Sequence, residues 1–252
     1  MIFRSAGSRR PSRSSQTCSE PTANSARITR RRSIKSSESP TNGSLTRADE
    51  LPLMKLRWGF KSEANTIARD IRRELGLSAA DPLDPWRLAA HLHIPVVNLS
   101  SMRAEAEDAV LHFTRKDPEA FSAVTVFRGY KRIIVVNDSH SRGRRASNIA
   151  HELAHSLLWH EPSPAFRGDG VREWNAEQEE EAQWLAGALL ISEEAAFSIV
   201  RRCLSLADAA KLYGMSIDMV RGRINVTGAR KRAELAARRR SLSLTGNPGK
   251  RS

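Results

Sequence analysis

The stretch "SNIAHELAHSLLWH", residues 147–160, decides how the rest of this 252-residue chain is read. His151 and His155 are four residues apart with Glu152 between them. At roughly 100° per residue, a helix sets the two imidazoles about 40° apart on one face, so both can reach one ion. Glu152 falls about 100° round from His151, beside such an ion rather than on it. The flanks favour a helix: Ile149, Leu153, Leu157 and Leu158 are apolar, and no Pro or Gly stands between 144 and 161. With seven His and 18 Glu in the chain, the H-E-x-x-H pattern should arise by chance on the order of 0.01 times. The competing reading is an ordinary helix whose histidines are satisfied by hydrogen bonds.

A catalytic zinc site wants three protein ligands and one open position. On a continuous helix His160 lies about 180° from His151 and points away. Leu158 and Glu161 replace the Gly and His that a metzincin would carry. The remaining source is "NAEQEEEAQWLAGALLIS", residues 175–192. There Ala182, Leu185, Ala186 and Leu189 form an apolar stripe, and Glu179 continues it one turn toward the N-terminus. A carboxylate on a buried face is costly unless paired or bound to metal. Glu177 is a weaker rival, and Glu180 and Glu181 read as solvated side positions near a helix start.

The chain outside these helices is uneven in charge. Residues 1–53 hold 10 basic and 4 acidic side chains, net +6, and residues 221–252 hold 10 and 1, net +9. The 54–220 body is left at −2 within a total of +13. Basic ends suit non-specific contact with nucleic acid and say little about the core. Residues 1–53 are Ser- and Arg-rich without apolar period and read as a disordered tail. Their composition also suits an organellar transit peptide, and Met54 stands as an alternative native start. The longest apolar run, "WLAGALLI", is far below the roughly 20 residues of a membrane span, and no secretory signal is visible. Cys18 and Cys203 alone do not make a disulfide framework, which points to the cytoplasm.

Order is expected from about Lys61. "SEANTIARDIRRELG" has helical spacing with Gly76 as its stop, and Asp84-Pro85 opens a second helix. "IPVVNL", "AVLHFT", "FSAVTVF" and "RIIVVN" read as four short strands, the last two joined by "RGYK" as a hairpin. Helices follow at about 143–159 and 175–190, with Ser192 as N-cap of a third.

With "HELAH" followed by "EEEAQWLAGALLIS", the chain resembles the ImmA/IrrE-type metallo-endopeptidases, compact relatives of the gluzincins. The resemblance runs from "FKSEANTIARDIRRELGL" to "YGMSIDMVRGRINVTG", roughly residues 58–228. It implies an α+β, thermolysin-like minimal domain over 54–228, with a small, mostly antiparallel sheet against a helical bundle, then a basic tail over 229–252. It implies metal ligands at His151, His155 and Glu179, one Zn²⁺, and Glu152 as general base. It implies peptide-bond hydrolysis in a helix-turn-helix repressor. Gln183 departs from the family's Asn or Asp, and Ser147-Asn148-Ile149-Ala150 from its usual Thr-Leu-Ala approach. "RIIVVND" is expected to offer an edge to an extended substrate. Tyr130, His140 and His160 are candidates for an oxyanion donor. Two other functions stay open: a DNA-binding regulator using residues 205–226, with Arg221 and Arg223 on its second helix, and a catalytically silent metal-binding regulator.

Overall fold

Phe60, Ala64, Ala68 and Ile71 recur at helical spacing, and all four are buried along one side of α1, Phe60–Glu74. Gly76 ends that helix at φ 67°, where it donates to the Arg73 carbonyl. Asp84 caps α2, Pro85–His91, by accepting from the Trp86 N–H at 3.0 Å. The computed structural model describes residues 56–129, 131–160 and 175–245, all within one unit, 52–252. The tail expected over 1–53, and Cys18 with it, lie outside the described residues.

The sheet has three strands: β1, Val96–Asn98; β2, Ala123–Arg128; and β3, Lys131–Val136. Their order is β1-β3-β2. β1 runs parallel to β3, with Val96 opposite Ile134, and β2 is antiparallel to it, with Arg128 opposite Lys131. The sheet is therefore mixed, with six antiparallel residue pairs and three parallel ones. β3 is also its centre: Ile134–Val136 is paired on both sides, whereas Lys131, Arg132 and Ile133 pair with β2 alone. The edge nearest the helices belongs to β2.

One expected strand is absent. "AVLHFT" lies in α3, Glu107–Leu111, and a following π-type turn, His112–Lys116. Val110 and Phe113 share one side of that turn and pack with Leu99 and Val135 against the face of the sheet away from the main core. Buried Asn137 donates to the carbonyls of Phe113 and Phe121 at 2.8 and 2.9 Å, satisfying backbone groups that a ladder would otherwise take. On β3 the alternation is clean: Ile134 and Val136 enter the main core, while Ile133 and Val135 enter this small second one.

The main core is built on α4, Arg142–Leu157, and α5, Ala176–Leu190. Ile149, Ala150, Leu153 and Ala154 meet Ala182, Leu185, Ala186 and Leu189 there. Two buried arginines hold the C-terminal end of α5. Arg72 donates to the carbonyls of Ala188 and Leu189 at 3.3 and 2.7 Å, and Arg223 donates to that of Ile191 at 3.0 Å. Cations at a helix C-terminus meet orphan carbonyls and the negative end of the dipole. Burial lowers both guanidinium pKa values to about 10, still far above neutrality. Gly187 leaves the room this needs, since a Cβ there would sit 3.1 Å from the Arg223 stem.

The remaining helices are α6, Glu193–Arg201; α7, Leu206–Tyr213; α8, Ile217–Val226; and α9, Ala229–Thr245. Ser192 caps α6 as expected, accepting from Ala195 N–H at 3.0 Å. The segment read as a basic tail thus begins as a helix. Ala229 is fully buried and Arg232 pairs with Glu193 at 3.0 Å, which fixes the start of α9 against α6. No helix among the described residues is long and apolar enough to cross a membrane.

Candidate metal centre

Ser141 caps α4, and the sixteen residues that follow carry His151, Glu152 and His155 to the face that meets α5. Asn175 caps α5 by accepting from the Gln178 N–H at 3.2 Å, which puts Glu179 in the first turn. The two helices therefore bring their polar groups together just above the Leu153–Leu185 core. His151 Nε2 lies 3.1 Å from Glu179 Oε2 and 3.1 Å from His155 Nε2, and His155 Nε2 lies 3.7 Å from Glu179 Oε2. The three groups could hold a metal ion. Ligand atoms about 2.0–2.1 Å from a tetrahedral cation stand roughly 3.3 Å from one another. The observed triangle matches one face of such a tetrahedron, and two neutral imidazoles with one carboxylate form a donor set for it. The His151 imidazole first, and His155 beside it, hold the Glu179 carboxyl far below the usual carboxylate range, so it is an anion.

Glu152 leaves α4 toward the sheet. The Thr125 hydroxyl on β2 donates to Glu152 Oε2 at 2.6 Å, fixing the carboxylate beside the triangle and leaving its other oxygen without a hydrogen bond from the protein among the described residues. A cleft of about 720 Å³ opens on the other side of His151. Asn148, Glu180, Gln183, Leu190 and Met219 line it with the ligand residues. Asn148 Nδ2 is buried there with no hydrogen-bond partner among the described residues. Gln183 is exposed on the cleft wall. A second cavity, of about 410 Å³, lies between the start of α4 and Gly214–Ser216 and includes none of the ligand residues.

The structure brings His151, His155 and Glu179 together, turns Glu152 from the same helix to Thr125 on β2, and leaves Glu177 exposed. It corrects the reading of His160. α4 stops at Leu157, Trp159 takes the left-handed conformation at φ 56°, and the His160 N–H donates to the His155 carbonyl at 3.1 Å. The chain doubles back, and His160 Nδ1 comes to 2.9 Å from His155 Nδ1. Glu181 is also not a solvated side position: only 13% exposed, it meets Arg57 at 2.7 Å and His160 Nε2 at 3.5 Å. Burial and the neighbouring His155 push the His160 pKa down, outweighing Glu181. As an oxyanion donor His160 is thus preoccupied. His140 is held elsewhere, its Nε2 lying 2.9 Å from the Pro118 carbonyl before α4 begins. Tyr130 lies outside the described residues.

Sequence reasoning missed Thr125, Asn148 and Glu181 as site residues, and named His160 only as an oxyanion candidate, not as a neighbour of His155. Thr125 and Asn148 carry no local pattern that marks them. His160 was within reach only if the helix was known to end, and a non-Gly residue in the left-handed region is a rare way to end one.

A family model for the Peptidase_M78, IrrE N-terminal-like domain matches residues 98–225. No curated protein and no solved structure matches the chain. The match spans both metal-site helices, β2 with Thr125, and α7 and α8. More than half of the chain is covered, with the H-E-x-x-H helix and the Glu179 helix inside it, so the chain belongs to the Peptidase_M78 (IrrE N-terminal-like) family.

Proposed function

We propose that this chain is a zinc-dependent endopeptidase. The observation that carries the reading is the convergence of His151 Nε2, His155 Nε2 and Glu179 Oε2 beside a Glu152 carboxylate that Thr125 holds in place. A zinc ion on these three ligands supplies Lewis-acid chemistry, activating water and polarising a scissile carbonyl. Glu152 takes the proton from the attacking water through its free oxygen and returns it to the leaving amine. Thr125 keeps that carboxylate from rotating away. β2 has its open edge beside Glu152, and an extended peptide can add to it as a further strand. Val126 and Phe127, 45% and 43% exposed, offer apolar contact along it. The cleft on the His151 side then receives substrate side chains.

The substrate we favour is a helix-turn-helix repressor, whose cleavage would occur in the cytoplasm and release transcription. The exposed cations of α9, Arg230, Lys231 and Arg238 among them, favour weak contact with the nucleic acid on which such a substrate sits. The rival reading, a DNA-reading head over 205–226, is disfavoured by Arg223, which is 5% exposed and bound to a backbone carbonyl. The test is co-expression with candidate repressors encoded nearby. Fragments that vanish with a chelator and with Glu152→Gln support the reading. Intact repressors under every condition, or cleavage by the Glu152→Gln variant, overturn it.

A further inference from the structure

The side of His155 turned away from the ligand triangle has a partner, and that partner has partners of its own. His155 Nδ1 meets His160 Nδ1 at 2.9 Å, with the rings 5.0 Å apart and steeply inclined. His160 Nε2 meets Glu181 Oε2 at 3.5 Å, and Glu181 Oε1 meets Arg57 Nε at 2.7 Å. Arg57 is in turn gripped by both oxygens of Glu63 at 2.8 and 2.7 Å. His151 has no counterpart: its Nδ1 is buried without a partner among the described residues.

We propose that His160 and Glu181 are positioning residues that set the ring orientation and tautomer of His155, with Arg57 anchoring the outer end. The inference rests on the metal-site reading above. Two facing imidazole nitrogens form a hydrogen bond only when one carries a proton and the other a lone pair. Which one carries it is decided at the far end. A carboxylate only accepts, so Glu181 requires the proton of a neutral His160 to sit on Nε2. His160 Nδ1 then holds a lone pair, and His155 must donate from Nδ1. His155 Nε2 is left bare where it faces His151 and Glu179. That is the state a cation needs, prepared before the cation arrives. Arg57 holds Glu181 in register, so the segment leading into α1 reaches the site through three side chains. The left-handed Trp159 is what makes the relay possible, since it turns His160 back under His155.

The test has two readouts. Zinc affinity is measured by competition with a chromophoric chelator, and the ring-nitrogen shifts of ¹⁵N-labelled His155 are measured in the metal-free protein. His160→Ala is expected to weaken zinc binding about 10- to 100-fold. It should also move His155 from a single Nδ1–H tautomer to a mixture. Glu181→Ala should do the same to a smaller degree. Glu181→Gln, which retains an acceptor oxygen, should recover part of the loss. Arg57→Ala should add little once Glu181 is gone, because both act through one path. A purely packing role for His160 predicts a lower melting temperature with unchanged affinity and tautomer, and that result overturns the proposal. Glu181→Ala, in the second turn of α5, decides the matter if His160→Ala fails to fold: wild-type affinity and shifts there also overturn it. A wild-type chain that binds no zinc would instead defeat the metal reading, while the His155 shifts would still decide the relay.

Discussion

Two helix pairs in this molecule look alike in sequence and do opposite things with their polar residues. α4 and α5 face each other across an alanine-rich core, yet at one end their facing surfaces carry His151, His155 and Glu179. α7 and α8 have the spacing of a DNA-reading pair, with Gly214 in the turn at φ 65° and arginines on the second helix. Their facing residues are spent on packing. Ala209, Tyr213, Val220 and Ile224 are buried, and the Tyr213 hydroxyl donates to the Ala80 carbonyl at 2.8 Å. Arg223 is consumed by the end of α5, and Arg221 is paired along its own helix with Asp218. Spacing says which side chains share a face. It does not say whether that face meets a core or a ligand.

The largest effects should come from the first pair. Glu152→Gln is expected to cut peptide hydrolysis about 10²- to 10⁴-fold, the usual worth of a general base, with zinc content and melting temperature unchanged. His151→Ala should lose zinc as well as activity, read by elemental analysis. Unaltered hydrolysis by either variant would erase the contrast between the two pairs. Next in size is Arg223→Ala, which should lower stability by about 1–3 kcal/mol by leaving the Ile191 carbonyl unsatisfied and a void beside Gly187. Arg223→Met, which keeps the stem and removes the buried charge, should cost less. Urea denaturation midpoints separate them, and no change in either would free Arg223 for another role.

Smaller again is Thr125→Val. It removes one hydrogen bond to a carboxylate, so kcat should fall about tenfold with zinc affinity intact. A loss of zinc instead would mean that Thr125 supports the fold of the site rather than Glu152. The smallest effect is expected on the second pair. Arg221→Ala should leave duplex binding as it was. Binding carried by Arg230, Lys231 and Arg238 should be blind to sequence and fall steeply with salt through counter-ion release, seen in titrations between about 50 and 200 mM salt. Tight, salt-resistant selection of one sequence that Arg221→Ala abolishes would promote the DNA-reading alternative.

The sequence by itself determined what repeats with the period of a helix. His151, Glu152 and His155 on one helix, and Glu179 continuing the Ala182–Leu189 stripe of the next, follow from 100° per residue alone. Gly76, Asp84 and Ser192 marked helix ends because their conformations and side chains act locally. Tertiary structure decided whatever depends on what stands opposite. "AVLHFT" is apolar enough for a strand, yet it curls because the sheet face needs a cover and Asn137 supplies the Phe113 carbonyl with a donor. β3 became the central strand only because β1, far earlier in the chain, adds to it in parallel. The Thr125–Glu152 bond, the return of His160 to His155 and the seating of Glu181 on Arg57 join distant segments or follow a helix stop at Trp159. Local periodicity holds no term for these contacts, because hydrogen bonds across elements depend on packing that the whole core settles at once.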